Sequence, residues 1–292
     1  MKDFSYAAPA TLKEAAELLA RANGKARVLA GGTDIIVQLR EGLRDADLVV
    51  DIKKIPELME LSYSSAKGLR LGASVPCYRI YEHADVTKAY PALVDAARIV
   101  GGWQIQSRAS VGGNLCNSSP AGDTIPALIA LGATCIIAGP KGQGQAKVED
   151  FCTGPGKNVL QPGELLVTLV VPPPAAKSGS AYERFIPRNE MDIAVAGAGS
   201  SIQLSADGKT IERARIGLCA IAPTPKFAAE ASQWLTGKPA TEESFVQAGE
   251  LAKNIASPIT DMRGTAEYRI HLVGVLVKRT LLKAAQRAQL ET

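Results

Sequence analysis

The sequence reads as an α+β protein in two parts, on three observations. Strand-length apolar runs alternate with helix-spaced segments. A stiff-then-flexible connector, Val171-Pro172-Pro173-Pro174 through Gly179, interrupts them. The chain's 292 residues also exceed a typical single domain of about 100–200. The expected division falls near residue 176, giving parts 1–176 and 177–292.

In chain order, a short strand is expected around Phe4–Tyr6. Thr11-Leu12-Lys13-Glu14 has the form of a capping box, in which a Thr and a Glu three positions on satisfy helix-start amides; it launches an Ala/Leu helix that stops at Asn23-Gly24. Ala26–Ala30 is a short apolar run meeting Gly31-Gly32, after which Thr33-Asp34 opens a helical turn or two over Ile35–Arg40. Leu48–Ile52 and Leu69–Ala73 read as strands, and Lys88–Val100 as a helix. Arg108–Val111 leads to a second glycine turn, Gly112-Gly113-Asn114, and Ser118–Asp123 to a helix over Ile125–Leu131 starting behind Pro126. Lys141–Gln145 is polar and Gly-rich. Beyond the connector, Ala181–Pro187, Ile193–Leu204 and Ile211–Ile221 read as strands, then Lys226–Leu235, Glu242–Ile255 and Thr265–Ala288 as helices. The small residues of Ala194–Ser201 suit a close-packed strand.

Composition narrows the function. With 46% apolar and 21% charged residues the chain is globular rather than disordered. A net charge of +4, with no dense Lys/Arg cluster, disfavours nucleic acid. Cys77, Cys116, Cys135, Cys152 and Cys219 are scattered without a C-x-x-C pair, so neither a disulfide framework nor a zinc or iron–sulfur site is legible. His83 and His271 are the only histidines, which disfavours His-rich metal sites and Ser-His-Asp chemistry. An organic cofactor is the remaining expectation. The stretch from Met1 to Tyr6 has no apolar leader pattern and no window approaches ~18 apolar residues, so no membrane segment and a cytoplasmic location are expected.

A Gly-Gly pair between strand and helix lets backbone approach a ligand closely and aims amides at an anion. Gly31-Gly32 fits, although an isolated pair also fits a plain turn. The second pair, with Ser110, Asn114, Ser118 and Asp123 nearby, adds hydroxyl, amide and carboxylate groups, and two such turns can clamp one dinucleotide. Rossmann and Walker fingerprints are absent: Gly197-Ala198-Gly199 lacks the third glycine, and Thr153-Gly154-Pro155-Gly156-Lys157-Asn158 lacks both the first glycine and the Ser/Thr of a P-loop.

Ala30-Gly31-Gly32-Thr33-Asp34, Ala109-Ser110-Val111-Gly112-Gly113-Asn114 and Ser119-Pro120 with Asp123 resemble the FAD-binding (medium) subunit of molybdenum hydroxylases, the xanthine dehydrogenase and carbon monoxide dehydrogenase group. Leu160–Leu165, Tyr182–Asp192, Asp261-Met262-Arg263 and Tyr268-Arg269 continue the resemblance in the same order. It implies a two-part FAD-binding domain of the vanillyl-alcohol-oxidase type and a small α+β C-terminal domain of the carbon monoxide dehydrogenase flavoprotein type. It also implies FAD pyrophosphate on Leu29, Ala30, Gly31, Gly32, Thr33, Asp34 and Ile35 and on Ser110, Gly112, Gly113 and Asn114, with Asp123 holding a ribose. Leu166 and Arg184 correspond to residues beside the flavin; the alternatives are core packing for Leu166 and a solvated strand charge for Arg184. Gln106-Ser107 stands where the family usually has Arg-Asn, and Arg184 where it usually has Lys.

The implied function is an electron-transfer subunit with noncovalent FAD, since neither His83 nor His271 lies in a glycine-turn segment. Electrons would come from [2Fe-2S] clusters on a small partner subunit, downstream of a molybdenum cofactor on a large one, and pass to NAD+, a quinone or dioxygen. A dimer of heterotrimers is the expected assembly. No catalytic acid or base is nominated in this chain. The alternatives are a stand-alone FAD-dependent oxidoreductase and a non-catalytic flavin-binding assembly module.

Overall fold

A computed structural model describes residues 2–290; Met1 of the N-terminal reading and Glu291-Thr292 of the second part lie outside the described residues. The first layer contains β1 (Ser5–Ala7), α1 (Leu12–Arg21), β2 (Ala26–Leu29), α2 (Ile35–Arg40) and β3 (Leu48–Asp51). Its three parallel strands lie in the order β1-β3-β2, so the carboxyl ends of all three point the same way. The capping box forms: Thr11 Oγ1 accepts from the Glu14 amide at 3.2 Å, while Glu14 Oε2 accepts from the Ala10 amide at 3.1 Å.

The second layer runs through β4 (Leu61–Ser64), β5 (Gly68–Gly72), α3 (Cys77–Glu82), α4 (Ala84–Ala89), α5 (Pro91–Ala97), α6 (Trp103–Gln106), α7 (Val111–Asn117), α8 (Thr124–Ala130), β6 (Thr134–Gly139), β7 (Gly142–Lys147), α9 (Val148–Phe151), β8 (Cys152–Gly154), β9 (Lys157–Asn158) and β10 (Leu165–Val171). Its main sheet is antiparallel, ordered β4-β5-β10-β6-β7. β10, Leu-Leu-Val-Thr-Leu-Val-Val, occupies the centre because nearly every one of its side chains is buried. The core joins Leu69, Leu71, Leu165 and Leu169 to Ile80, Leu93 and Ile125.

Three sequence expectations change here. The single helix over Lys88–Val100 is two, because Pro91 cannot continue α4 and restarts the chain as α5 at its own first position. The polar Lys141–Gln145 stretch belongs to the edge hairpin β6–β7. Gly112-Gly113-Asn114 is the first turn of α7 rather than a turn between elements.

The third layer comprises β11 (Ser178–Phe185), β12 (Ala196–Leu204), β13 (Ile211–Cys219), β14 (Lys226–Phe227), α10 (Ala229–Leu235), α11 (Glu242–Ala252) and α12 (Ala266–Leu290). The strands form an antiparallel sheet in sequence order, backed by α12 and α11. The other face receives α8. Cβ atoms at Gly199 and Gly217 would lie 2.7 Å and 2.4 Å from the Pro126 carbonyl oxygen, so the small residues of β12 and β13 let a helix of the preceding layer press directly on the sheet. Arg287 of α12 locks the same seam, donating to both oxygens of Asp95 at 2.6 and 2.9 Å and to the Ser180 carbonyl.

Candidate functional site: a cleft between two glycine segments

A cleft of about 520 Å³ opens between the first and second layers, within the range of cofactor pockets. Ala30–Ile35 form one lip, and Ser110, Gly112, Gly113 and Asn114 the other. Leu166 and Asp123 also line it, whereas Arg184 sits behind Asp123. Leu29 lies at the end of β2, just before the first lip.

The first lip is a loop bent by Gly32, whose φ of +83° only glycine adopts freely. The amides of Gly32, Thr33, Asp34 and Ile35 have no acceptor among the described residues. Asp34 occupies the N-cap of α2 without making a side-chain cap bond. Lys53 holds the loop's entry: its ammonium donates to the Ala30 carbonyl at 2.9 Å and to Asp51 Oδ1 at 2.7 Å, and Tyr6 donates to Asp51 Oδ2 at 2.8 Å. These contacts lie at the carboxyl ends of the parallel strands, where β-sheet ligand crevices form. The Lys53 ammonium beside Asp51 contributes, against burial, to holding that carboxyl below its usual range.

The second lip is the start of α7. Ser110 is its N-cap and accepts from the Gly113 amide at 3.0 Å, so Gly113 offers no free amide; the antiparallel bridge between Pro76 and Ser110 turns the Val111 amide toward Val75, and Gly112 is left without an acceptor among the described residues. The Asn114 side chain is tied inward: its Oδ1 accepts from the Thr124 hydroxyl at 2.8 Å and joins α7 to α8.

The glycines have a packing role that the sequence expectation did not include. A Cβ on Gly31 would sit 2.0 Å from the Arg108 carbonyl oxygen, and one on Gly112 2.5 Å from the Ala73 carbonyl oxygen. Their bareness therefore also brings the protein's own backbones together and so shapes the cleft.

Asp123 is buried and fully engaged. Its Oδ1 accepts from the Tyr182 hydroxyl at 3.0 Å and its Oδ2 from Arg184 at 2.5 Å. Burial pushes the carboxyl up to about 6, partly offset by Arg184 and the Tyr182 hydroxyl. Arg184 is only 5% exposed, which overturns the solvated-charge reading. Leu166 is both a core residue, paired across the sheet with Ile137, and part of the cleft wall.

The structure adds Lys53, Arg27, Arg44, Asp192 and Ile193 around the cleft or its lips. None stands in a glycine motif, so spacing alone did not reveal them; Asp192 had appeared only as the end of a resemblance segment. The departure at Gln106 is structural, since its side chain accepts from Tyr81 and donates to the Arg98 carbonyl. The Asp261 and Arg269 signature is likewise structural: Arg269 ties Asp261 to the Val195 and Ala220 carbonyls.

The cleft suits a dinucleotide. Unpartnered backbone amides stand on both lips, over Gly32–Ile35 and at Gly112, as a pyrophosphate requires, and Leu166, Val100 and Ile105 supply apolar wall. Comparison with known proteins agrees. The family described as "FAD binding domain in molybdopterin dehydrogenase" matches residues 2–174, and "CO dehydrogenase flavoprotein C-terminal domain" matches residues 180–284. The xanthine dehydrogenase FAD-binding subunit of Escherichia coli O157:H7 is 31% identical over 99% of this chain and 98% of its own. The carbon monoxide dehydrogenase medium chain of Afipia carboxidovorans is 31% identical over 98% of each. A chain of carbon monoxide dehydrogenase from Hydrogenophaga pseudoflava superposes with a TM-score of 0.93 at 30% identity, covering 98% of each chain. A protein with this cleft, these two matched domains and such relatives over its whole length belongs to the FAD-binding medium subunits of the molybdenum hydroxylases, which are oxidoreductases.

Proposed function

We propose that this chain binds one FAD noncovalently in the cleft and relays electrons within a heteromeric molybdenum hydroxylase in the cytoplasm. The observation that carries the reading is the pair of glycine segments on one cleft, with open amides over Gly32–Ile35 on one lip and at Gly112 on the other. Bound FAD supplies the exchange between one-electron and two-electron carriers. The first lip and α7 hold its pyrophosphate, Leu166 packs beside the flavin, and Asp123 meets a ribose. Arg184 acts on the flavin's charge through or around Asp123, with a weaker field than a bare cation has. The two lips and the connector support a vanillyl-alcohol-oxidase-type arrangement with a domain division near residue 176.

Electrons then arrive from a small [2Fe-2S] subunit and originate at a molybdenum cofactor on a large subunit, in a dimer of heterotrimers. NAD+, a quinone or dioxygen accepts them. The test is rapid mixing of the purified complex and of the isolated chain with the organic substrate, followed at the flavin absorbance. Bleaching in the complex alone supports the relay, whereas turnover by the isolated chain makes it a stand-alone oxidoreductase. Acid precipitation checks the linkage: released yellow cofactor is expected, and flavin retained in the pellet contradicts noncovalent binding.

A further inference from the structure

We infer that a second cavity, on the seam between the second and third layers, is a docking groove for an extended acidic segment of a partner subunit, an inference that rests on the subunit reading above. The cavity is about 1150 Å³, more than twice the flavin cleft's volume of about 520 Å³. Its cations come from separate elements: Lys88 on α4, Lys147 on β7, Arg213 and Arg215 on β13 and Arg287 on α12.

Some of that charge is already used. Arg287 is held by Asp95; Arg215 pairs with Glu149, donates to the Ile129 carbonyl and covers the Phe227 ring. Lys88 and Arg213 have no carboxylate partner among the described residues, and Lys147 reaches Glu149 only at 3.6 Å while 69% exposed. Against these three cations the lining sets one further carboxylate, Asp85 on α4, so the groove keeps a net positive charge in a concave site, which focuses the field on an anionic partner.

The form of the cavity favours a polypeptide over a small anion. The uncompensated cations stand on three separate elements, α4, β7 and β13, with the Pro172–Pro174 connector beside them. Pro172–Pro174 form a stiff apolar wall that can lie along an extended chain.

The test is carried out on the complex purified with its partners. A photo-crosslinking residue replacing Gln203, on the groove wall, is expected to capture a partner peptide rich in Asp and Glu. The Lys88→Glu/Arg213→Glu double variant is expected to weaken retention of this chain in the complex about tenfold or more at low salt, an effect that shrinks as salt rises. FAD content, read from the visible spectrum, should stay at the wild-type level and shows that the variant is folded. Unchanged retention, or capture of only neutral or basic peptides, overturns the groove assignment. So does a thermal shift of the wild-type chain by ATP or inorganic phosphate that the double variant abolishes, because the groove is then a small-anion pocket. A chain that co-purifies with no partner overturns the subunit reading and the groove together, whereas a complex indifferent to the double variant overturns the groove alone.

Discussion

The first lip, Gly31–Ile35, is a loop held by distant parts of the chain: the Arg108 carbonyl packs on Gly31, and Lys53 pins Ala30. The second lip, Ser110–Asn114, is a helix start capped by its own Ser110, resting on Ala73 under Gly112 and braced by the Pro76–Ser110 bridge and by Thr124 on Asn114. The same dipeptide thus supplies open amides by two routes. In one the backbone is bent into a conformation that ordinary residues avoid; in the other the amides are the normal unpaired donors of a helix start. Damage to the first should propagate across the cleft, and damage to the second should remain local.

The largest effect is expected from Gly31→Ala. Its new Cβ meets rigid backbone at 2.0 Å, so the lips must separate, at a cost of about 4 kcal/mol or more in chemical denaturation together with loss of FAD. Near-wild-type stability would break the comparison at once. Gly112→Ala should cost about 1–3 kcal/mol by lifting α7 off Ala73. If this variant instead keeps full stability and loses FAD, that glycine serves the ligand directly.

Gly32→Ala should destabilise by about 1–2 kcal/mol, because its φ of +83° is strained for any side chain, while the Cβ meets the movable side-chain ends of Ile36 and Leu29. FAD affinity, titrated by flavin fluorescence, should fall more than stability, since this residue sets the direction of the loop amides. Ser110→Ala should cost about 1 kcal/mol as a lost cap, with a smaller effect on FAD than Gly32→Ala.

The smallest effect concerns pH. Folding raises the Asp123 carboxyl from 3.8 to about 6, so the folded state favours its protonated form. Its contribution is therefore full below 3.8 and lost as pH rises through about 6. The stability of the wild type relative to Asp123→Asn should decline between those values in thermal melts. A difference that grows instead means that the attraction of Arg184 outweighs burial.

What was legible in the sequence follows from range. The capping box at Thr11, the strand–glycine–helix order at Gly31 and the small-residue strand at Ala194–Ser201 are local patterns, and the structure contains each of them. The break at Tyr90-Pro91 was also local, but apolar spacing across it imitated one helix. Other features depend on residues far apart in the chain. Nothing adjacent to Gly31 announces Arg108, nothing in Tyr182-Glu183-Arg184 announces Asp123, and Lys53 gives no sign of pinning Ala30. The resemblance supplied candidate positions at the cleft; tertiary contacts determine what each side chain does there.

Asp123 belongs to the cleft wall, yet the groups that hold it, Tyr182 and Arg184, lie on β11, and the Tyr182 hydroxyl also meets Cys219 at 3.7 Å near the end of β13. During synthesis from the N-terminus, both glycine lips emerge well before these supports, so the nascent first part carries an unfinished wall. Capture of the cofactor is then expected at the end of maturation, after the later sheet has closed on α8, with the yellow of a purified preparation expected to follow how many chains completed that closure.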